Sequence, residues 1–193
     1  FYSVPAADAA AYVENYGYST TKVREHLEVI AKEPHPTGSA EIKKVRDYLV
    51  TELQKLGANP EVQQAHAQKY LFGNQFFAQV ENVIGYFPGS DAQGKPLMLM
   101  GHYDSFSHSP GANDNGHAVA TILETMRVML SKGGFKNDVI VLFTDAEEQG
   151  TLGITAFMEQ HQLAKDIGLI INFEARGSKG PLRMFETSGN TTG

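Results

Sequence analysis

Apolar residues follow two different periods along the chain. From 20 to 32, Val23, Leu27 and Ile30 recur at helical spacing, and a longer stripe of Ile42, Val45, Leu49, Leu53 and Leu56 follows. Ser39 stands where an N-cap belongs, and Gly57 where a left-handed glycine ends a helix. Residues 6–16 read as an earlier helix, set off by Gly17, Tyr18 and Ser19. Between the second and third helices, Pro34 and Pro36 forbid regular structure. Beyond Pro60 the period shortens, and residues 61–69 and 77–86 predict two hairpin-like strands. Three short strands of the buried kind come next, at 97–100, 139–143 and 169–173, with a weaker one from Leu182 to Glu186. Helices at 116–131 and 152–162 separate them. Apolar strands alternating with helices need cover on both faces. The pattern therefore predicts an α/β fold: a three-layer α/β/α sandwich on a mixed, mostly parallel central sheet, with the early hairpin as its antiparallel part. No repeat or long linker divides residues 1–193, which read as a single domain.

Composition narrows the function. The chain has 193 residues, 41% of them hydrophobic and 20% charged, a globular balance. Its net charge of −6 argues against nucleic acid or an anionic membrane as partner, since both need a basic face. No run of eighteen apolar residues occurs, so no membrane contact is expected from this segment itself. The absence of cysteine excludes disulfides, thiolate zinc sites and cysteine nucleophiles, while leaving the compartment open. The chain opens at Phe1 without a signal-peptide pattern, so it reads as a processed or excised piece.

The chemistry-bearing residues share one placement. Gly101-His102-Tyr103-Asp104, Thr144-Asp145-Ala146-Glu147-Glu148 and Glu174 each lie just past the end of a buried strand, where ligands gather in open α/β sheets. Gly111-Ala112-Asn113-Asp114-Asn115-Gly116 stands at the mouth of the next helix. One imidazole among carboxylates, without thiolate, suits catalytic zinc, and also manganese or cobalt. His102 and Asp104 are two apart, so Asp104 is placed to accept from the second imidazole nitrogen. Glu147 and Glu148 are adjacent and point in different directions, so one can bind metal while the other serves as general base.

These strings, with His35-Pro36-Thr37-Gly38-Ser39, Asn82-Val83-Ile84 and Ile171-Asn172-Phe173-Glu174, resemble peptidase family 28. That group holds di-zinc exopeptidases, including bacterial leucyl aminopeptidases and the Fxna-like endoplasmic-reticulum metallopeptidases. The resemblance implies that Asp114 bridges two zinc ions, that His102 and Glu174 complete one ligand set, and that Glu148 binds the other ion. It implies Glu147 as base, Asp104 as the residue orienting His102, and a cis peptide between Asp114 and Asn115. The implied function is a zinc-dependent exopeptidase, an aminopeptidase acting on peptides, that is secreted, periplasmic or membrane-anchored with a non-cytoplasmic domain. The family's further histidine ligand comes from a later loop, which a chain ending at Gly193 does not reach. The resemblance thus implies a catalytic domain incomplete at its C-terminus, with one metal or none held by this piece, little or no activity from the piece alone, and an apolar edge left uncovered.

Two other functions share these residues: a single-zinc enzyme like glutaminyl cyclase, and a non-catalytic binding domain derived from a peptidase. His108 and His117 are candidate substitutes for the missing histidine, but the start of a helix aims His117 elsewhere, so a partly exposed structural histidine is the preferred reading. His35 reads as a turn residue, and His26, His66 and His161 as solvent-facing. Tyr70, Phe72, Phe76 and Phe77 fit a core or hairpin, and Arg176 could meet a substrate carboxylate or neutralise the acidic cluster.

Overall fold

A computed structural model describes residues 16–91, 93–175 and 177. The sequence-predicted helix at 6–16 (all but its last residue), the strand from Leu182 to Glu186 and Arg176 lie outside the described residues. Helix α1 spans Thr20–Ile30, capped by the Ser19 side chain, which accepts from the Lys22 amide. Helix α2 spans Ala40–Lys55; Ser39 caps it by accepting from the Ile42 amide, and Gly57 leaves it at φ +90°. Strands β1, Glu61–Leu71, and β2, Asn74–Phe87, form a hairpin whose turn is Phe72-Gly73. Strand β3, Leu97–His102, leads through a loop and a kinked helical turn at Ala112–Gly116 into α3, His117–Ser131. Strand β4, Val139–Thr144, is followed by α4, Leu152–Gln160, a 3-10 turn at Gln162–Lys165, and β5, Leu169–Asn172.

The sheet order is β1-β2-β4-β3-β5. β3 pairs in parallel with β4 and β5, while β2 is antiparallel to both β1 and β4. Four strands thus point one way and β2 alone is reversed. Helices α1, α2 and α3 cover one face, where Ile30, Leu49, Val119 and Leu123 meet Val83, Val141 and Phe143. On the other, Phe157 of α4 packs with Ile84, Met98, Ile140 and Leu142, and Leu152 and Ala156 meet Ala65, Ala67 and Val80. The expected three-layer sandwich is what forms. Every residue of β4 is buried, as a strand covered on both faces requires. No helix among the described residues is long and apolar enough to cross a membrane.

Three expectations need correction. The third short strand, β5, is not buried: among the described residues it is an edge strand, and Leu169, Ile170 and Ile171 are exposed. The hairpin strands run further than their alternation indicates, because ladder pairing continues to Leu71↔Asn74 at the turn. His161 is buried, stacked on Phe157 and accepting from the Leu163 amide, and His26 is half-buried with Nδ1 2.6 Å from the Tyr48 hydroxyl. Only His66 of those three faces solvent.

Candidate functional site

Parallel β3, β4 and β5 end at one edge of the sheet, and the polar residues gather there. His102 is the last residue of β3, with its side chain almost wholly buried. Its Nδ1 lies 3.0 Å from the Asp104 carbonyl oxygen and 3.4 Å from the Asp104 carboxylate. That contact orients the ring and turns Nε2 toward three carboxylates: Asp114 Oδ1 at 3.0 Å, Glu174 Oε1 at 3.7 Å and Glu147 Oε2 at 3.9 Å. One ligand atom each from His102, Asp114 and Glu174 lies within 4.8 Å of the other two.

Local sequence builds these positions. Gly111 adopts φ +65°, and a Cβ there would stand 2.8 Å from the Ser105 Cβ and 2.9 Å from the Asp114 carbonyl oxygen. Only glycine lets the loop turn back this tightly before Asp114. The Asp114–Asn115 peptide is cis, as the family resemblance implies. Asn115 donates through Nδ2 to the Phe173 carbonyl at 2.7 Å, tying the Asp114 loop to the residue before Glu174. The Asp104 carboxylate accepts from the Glu147 amide at 3.0 Å and the Glu148 amide at 3.2 Å. Asp104 therefore meets His102 with both its carbonyl and its carboxylate, and the same carboxylate holds the backbone of the glutamate pair.

A second set of contacts stands behind that pair. Asp145, almost fully buried, accepts from the Thr37 hydroxyl at 2.8 Å, the Glu81 amide at 3.0 Å and the Ala146 amide at 2.7 Å. Fully buried Asn82 accepts from the Asp145 amide and donates to Gln63 and to the Gly153 carbonyl. Sequence reasoning quoted Asn82, Thr37 and Asp145 within motifs but assigned them no role. Thr37 and Asp145 are 108 positions apart, and nothing local marks them as partners.

The electrostatics follow from the crowding. Burial opposes a charge on His102, but hydrogen bonds to Asp104, Asp114 and Glu174 outweigh it and push the imidazole up to about 12. His102 in turn holds the Asp114 carboxyl below its ordinary value. Burial raises Glu147 above the usual carboxylate range, with Glu174 and Asp104 adding to the rise. Burial and then the Asp114 charge push Glu148 up to about 7. Oxygen donors around one oriented imidazole, with no lysine or arginine paired to them among the described residues, fit a divalent cation such as zinc, which would take the place of the imidazole proton.

Glu148 is not a member of the three-residue group, although its carboxyl responds to Asp114 and Glu147. His117 is half-buried, its Nδ1 2.5 Å from the Asn113 carbonyl, and His108 stacks on Phe106. Neither joins the group. His35 is buried in its turn, with Nδ1 2.8 Å from the Glu33 carbonyl.

Residues 82–193 match the sequence model of Peptidase family M28. A vacuolar membrane protease of Schizosaccharomyces japonicus (strain yFS275 / FY16936) is 31% identical over 183 residues, covering 90% of this chain and 21% of its own. That of Schizosaccharomyces pombe (strain 972 / ATCC 24843) is 30% identical over 171 residues, covering 84% and 20%. The chain thus spans about a fifth of the length of these relatives. Among solved structures, a Porphyromonas gingivalis glutaminyl cyclase matches with TM-score 0.71 and 22% identity over 84% of this chain and 61% of its own. A Zn-dependent exopeptidase from Parabacteroides distasonis ATCC 8503 matches with TM-score 0.67 and 23% identity, covering 84% and 63%. At these identities the structural matches show the shared fold.

Proposed function

The chain belongs to peptidase family M28, and from that premise we propose that it carries the metal site of a zinc-dependent exopeptidase of the aminopeptidase type. The observation that carries this reading is the convergence of His102, Asp114 and Glu174 on one point, with the Glu147 carboxylate 3.9 Å from the same imidazole nitrogen. His102, Asp114 and Glu174 would hold one zinc ion; Asp114 and Glu148 are assigned to a second ion in the complete enzyme, and this chain alone is expected to take up one or none. Zinc in such a site lowers the pKa of water and polarises a scissile carbonyl.

The remaining work falls to the protein. Glu147 accepts a proton from the attacking water at its carboxylate and delivers it to the leaving amine. Its raised pKa suits that exchange, because a base poised nearer neutrality both takes and returns a proton readily. Asp104 fixes the His102 ring through its carbonyl and sets the Glu147 and Glu148 backbone through its carboxylate. The substrate is a peptide with a free N-terminus. The vacuolar membrane proteases among the relatives support a domain on a non-cytoplasmic side, attached to a membrane through parts beyond this chain.

A second reading, the single-zinc cyclisation of N-terminal glutamine, is supported by the glutaminyl cyclase likeness and by there being one three-donor group among the described residues. One experiment separates them. The full-length protein is offered amino-acid anilides and a glutaminyl peptide, with chelator and then with added zinc. Anilide hydrolysis that chelator stops and zinc restores is the expected result. Cyclisation without hydrolysis favours the second reading, and neither activity with stoichiometric zinc bound sinks both.

A further inference from the structure

The turn between α1 and α2 reaches both loops that build the site. At one end, the His35 amide donates to Ser105 Oγ at 2.9 Å, and the Ser105 amide donates to the His35 carbonyl at 3.4 Å. Ser105 directly follows Asp104, so this end is fastened to the loop after β3. Two residues further on, the Thr37 hydroxyl donates to Asp145 Oδ1 at 2.8 Å, which fastens the turn to the loop after β4. The same oxygen accepts from the Ala146 amide at 2.7 Å, while Oδ2 accepts from the Glu81 amide at 3.0 Å. Among the described residues, Thr37 is the one side chain that donates to Asp145; its other donors are backbone amides.

What Asp145 holds is the direction of the chain just before Glu147. Ala146 lies between them, wholly buried, at φ +55°. A residue with a Cβ is disfavoured in that region and stays there only where its surroundings over-determine it. Here three consecutive amides are each donated to a carboxylate: Ala146 to Asp145, then Glu147 and Glu148 to Asp104. The Ala146 carbonyl accepts from the Leu152 amide at 2.9 Å, and the Glu147 carbonyl from the Thr151 amide at 2.8 Å. The Ala146 methyl packs with Val80, Leu152 and Ala156. With the chain turned in this way, the Glu147 carboxylate comes to 3.9 Å from His102 Nε2. A buried carboxylate and a left-handed alanine are both locally unfavourable, and they stand in succession directly before the residue assigned as base. Such strain collects where a side chain must be aimed.

We propose that Thr37 is a positioning residue for hydrolysis: through Asp145 Oδ1 its hydroxyl fixes the left-handed turn at Ala146 and so aims the Glu147 carboxylate at the attacking water. This rests on the exopeptidase reading with Glu147 as base, and one of its readouts does not depend on turnover. In the full-length enzyme, Thr37→Val keeps the side-chain shape without the donor, and Thr37→Ser keeps the donor. Leucine anilide kinetics, zinc content and melting temperature are measured beside amide hydrogen exchange, read by mass spectrometry on peptides covering 144–151 and, for comparison, α2 and α3. Thr37→Val should lower kcat about tenfold, less than the roughly 10²-fold that a misplacement of about 1 Å can cost, with KM within about twofold. Zinc content should stay level, because His102, Asp114 and Glu174 lie off this turn. Exchange should quicken about tenfold at 144–151 and stay unchanged in α2 and α3. Thr37→Ser should recover most of kcat and the parent's exchange. Unchanged kcat in Thr37→Val overturns the proposal, as does a lowered kcat with unchanged exchange at the turn, since Thr37 would then not act through Asp145. Zinc lost in step with turnover overturns it by moving the effect to the metal ligands. Faster exchange throughout the fold, with a lowered melting temperature, would make Thr37 a merely structural contact and overturn it too. Absence of anilide turnover in the parent, with selective exchange at 144–151 that serine reverses, would sink the exopeptidase reading and uphold the dependence of the turn on Thr37.

Discussion

Replacing Asn82 with alanine should destabilise the protein far more than its distance from solvent or from the metal ligands suggests. The side chain is fully buried, and its three hydrogen bonds run to different elements. Nδ2 donates to Gln63 Oε1 at 2.9 Å and to the Gly153 carbonyl at 2.8 Å, and Oδ1 accepts from the Asp145 amide at 3.1 Å. Truncation strands one N–H and two acceptors in the interior. Each stranded group costs about 1–3 kcal/mol, and water entering the vacated space recovers part of that, so the net loss should be about 3–5 kcal/mol. In a domain of this size the melting temperature should fall by about 10 °C. The chain has no tryptophan, so urea unfolding is best followed by far-UV circular dichroism. Asn82→Asp is the informative companion: it keeps the acceptor for the Asp145 amide, loses both donated bonds and buries a second carboxylate beside Asp145. It should therefore be worse at pH 7 than at pH 5. A loss below about 1 kcal/mol for Asn82→Ala, with an unchanged denaturant slope, would refute the view that this amide ties β2 to the glutamate loop.

In the full-length enzyme, Glu147→Gln keeps the shape but cannot accept a proton; turnover should drop about 10²–10⁴-fold while zinc content, measured by atomic absorption, stays level. His102→Ala should do the reverse first, leaving bound zinc below stoichiometry, and equal metal loss in both variants would mean that the roles are wrongly divided. Asp145 supplies a pH dependence. Burial lifts its carboxyl from 3.8 to about 6, the Asp104 charge adds to the lift, and the bonds from Thr37, Glu81 and Ala146 only partly offset it. A folded-state pKa above the unfolded one means that stability is fully present below about pH 4 and declines as pH rises through about 6, by roughly 3 kcal/mol. Asp145→Asn should remove that decline, and identical slopes of urea midpoint against pH in parent and variant would contradict the assignment.

Much of this architecture can be read from residues that answer to one strong constraint. β4 is apolar at all but its last position because helices cover it on both faces, and Ser39 and Gly57 mark the ends of α2 because capping chemistry is local. β5 looks the same in composition and lies exposed at an edge, since an apolar run does not reveal which strands flank it. The hairpin's full length is not legible because Tyr70-Leu71-Phe72 and Phe76-Phe77 are apolar runs that break the alternation on either side of the turn. Within the site, His102 and Glu174 stand out by their place after apolar strands, and Asp114 by its place at the mouth of the next helix. The contact of His102 with the Asp104 carbonyl left no trace, because every residue has a carbonyl. Asp145 was hidden differently: beside Glu147 and Glu148 it reads as one more surface acid, and only the fold brings Thr37 and β2 to it.

The reversed strand β2 has a consequence for how the chain reaches this state. Its pairing with β1 closes over a two-residue turn and can form within microseconds. Its pairing with β4, marked by the bond from the Asp145 amide to Asn82, joins positions 63 apart. Closing a loop of that length costs about 4 kcal/mol of chain entropy before any contact repays it. β3 and α3 lie within that loop, and the parallel pairing of β3 with β4, which brings His102 to the glutamate pair, closes a long loop of its own. The hairpin should thus be an early island of order, and the cation-binding pocket should arise in the slowest step of refolding. Zinc added at the start of refolding should leave the initial rate almost unchanged and act mainly by slowing unfolding.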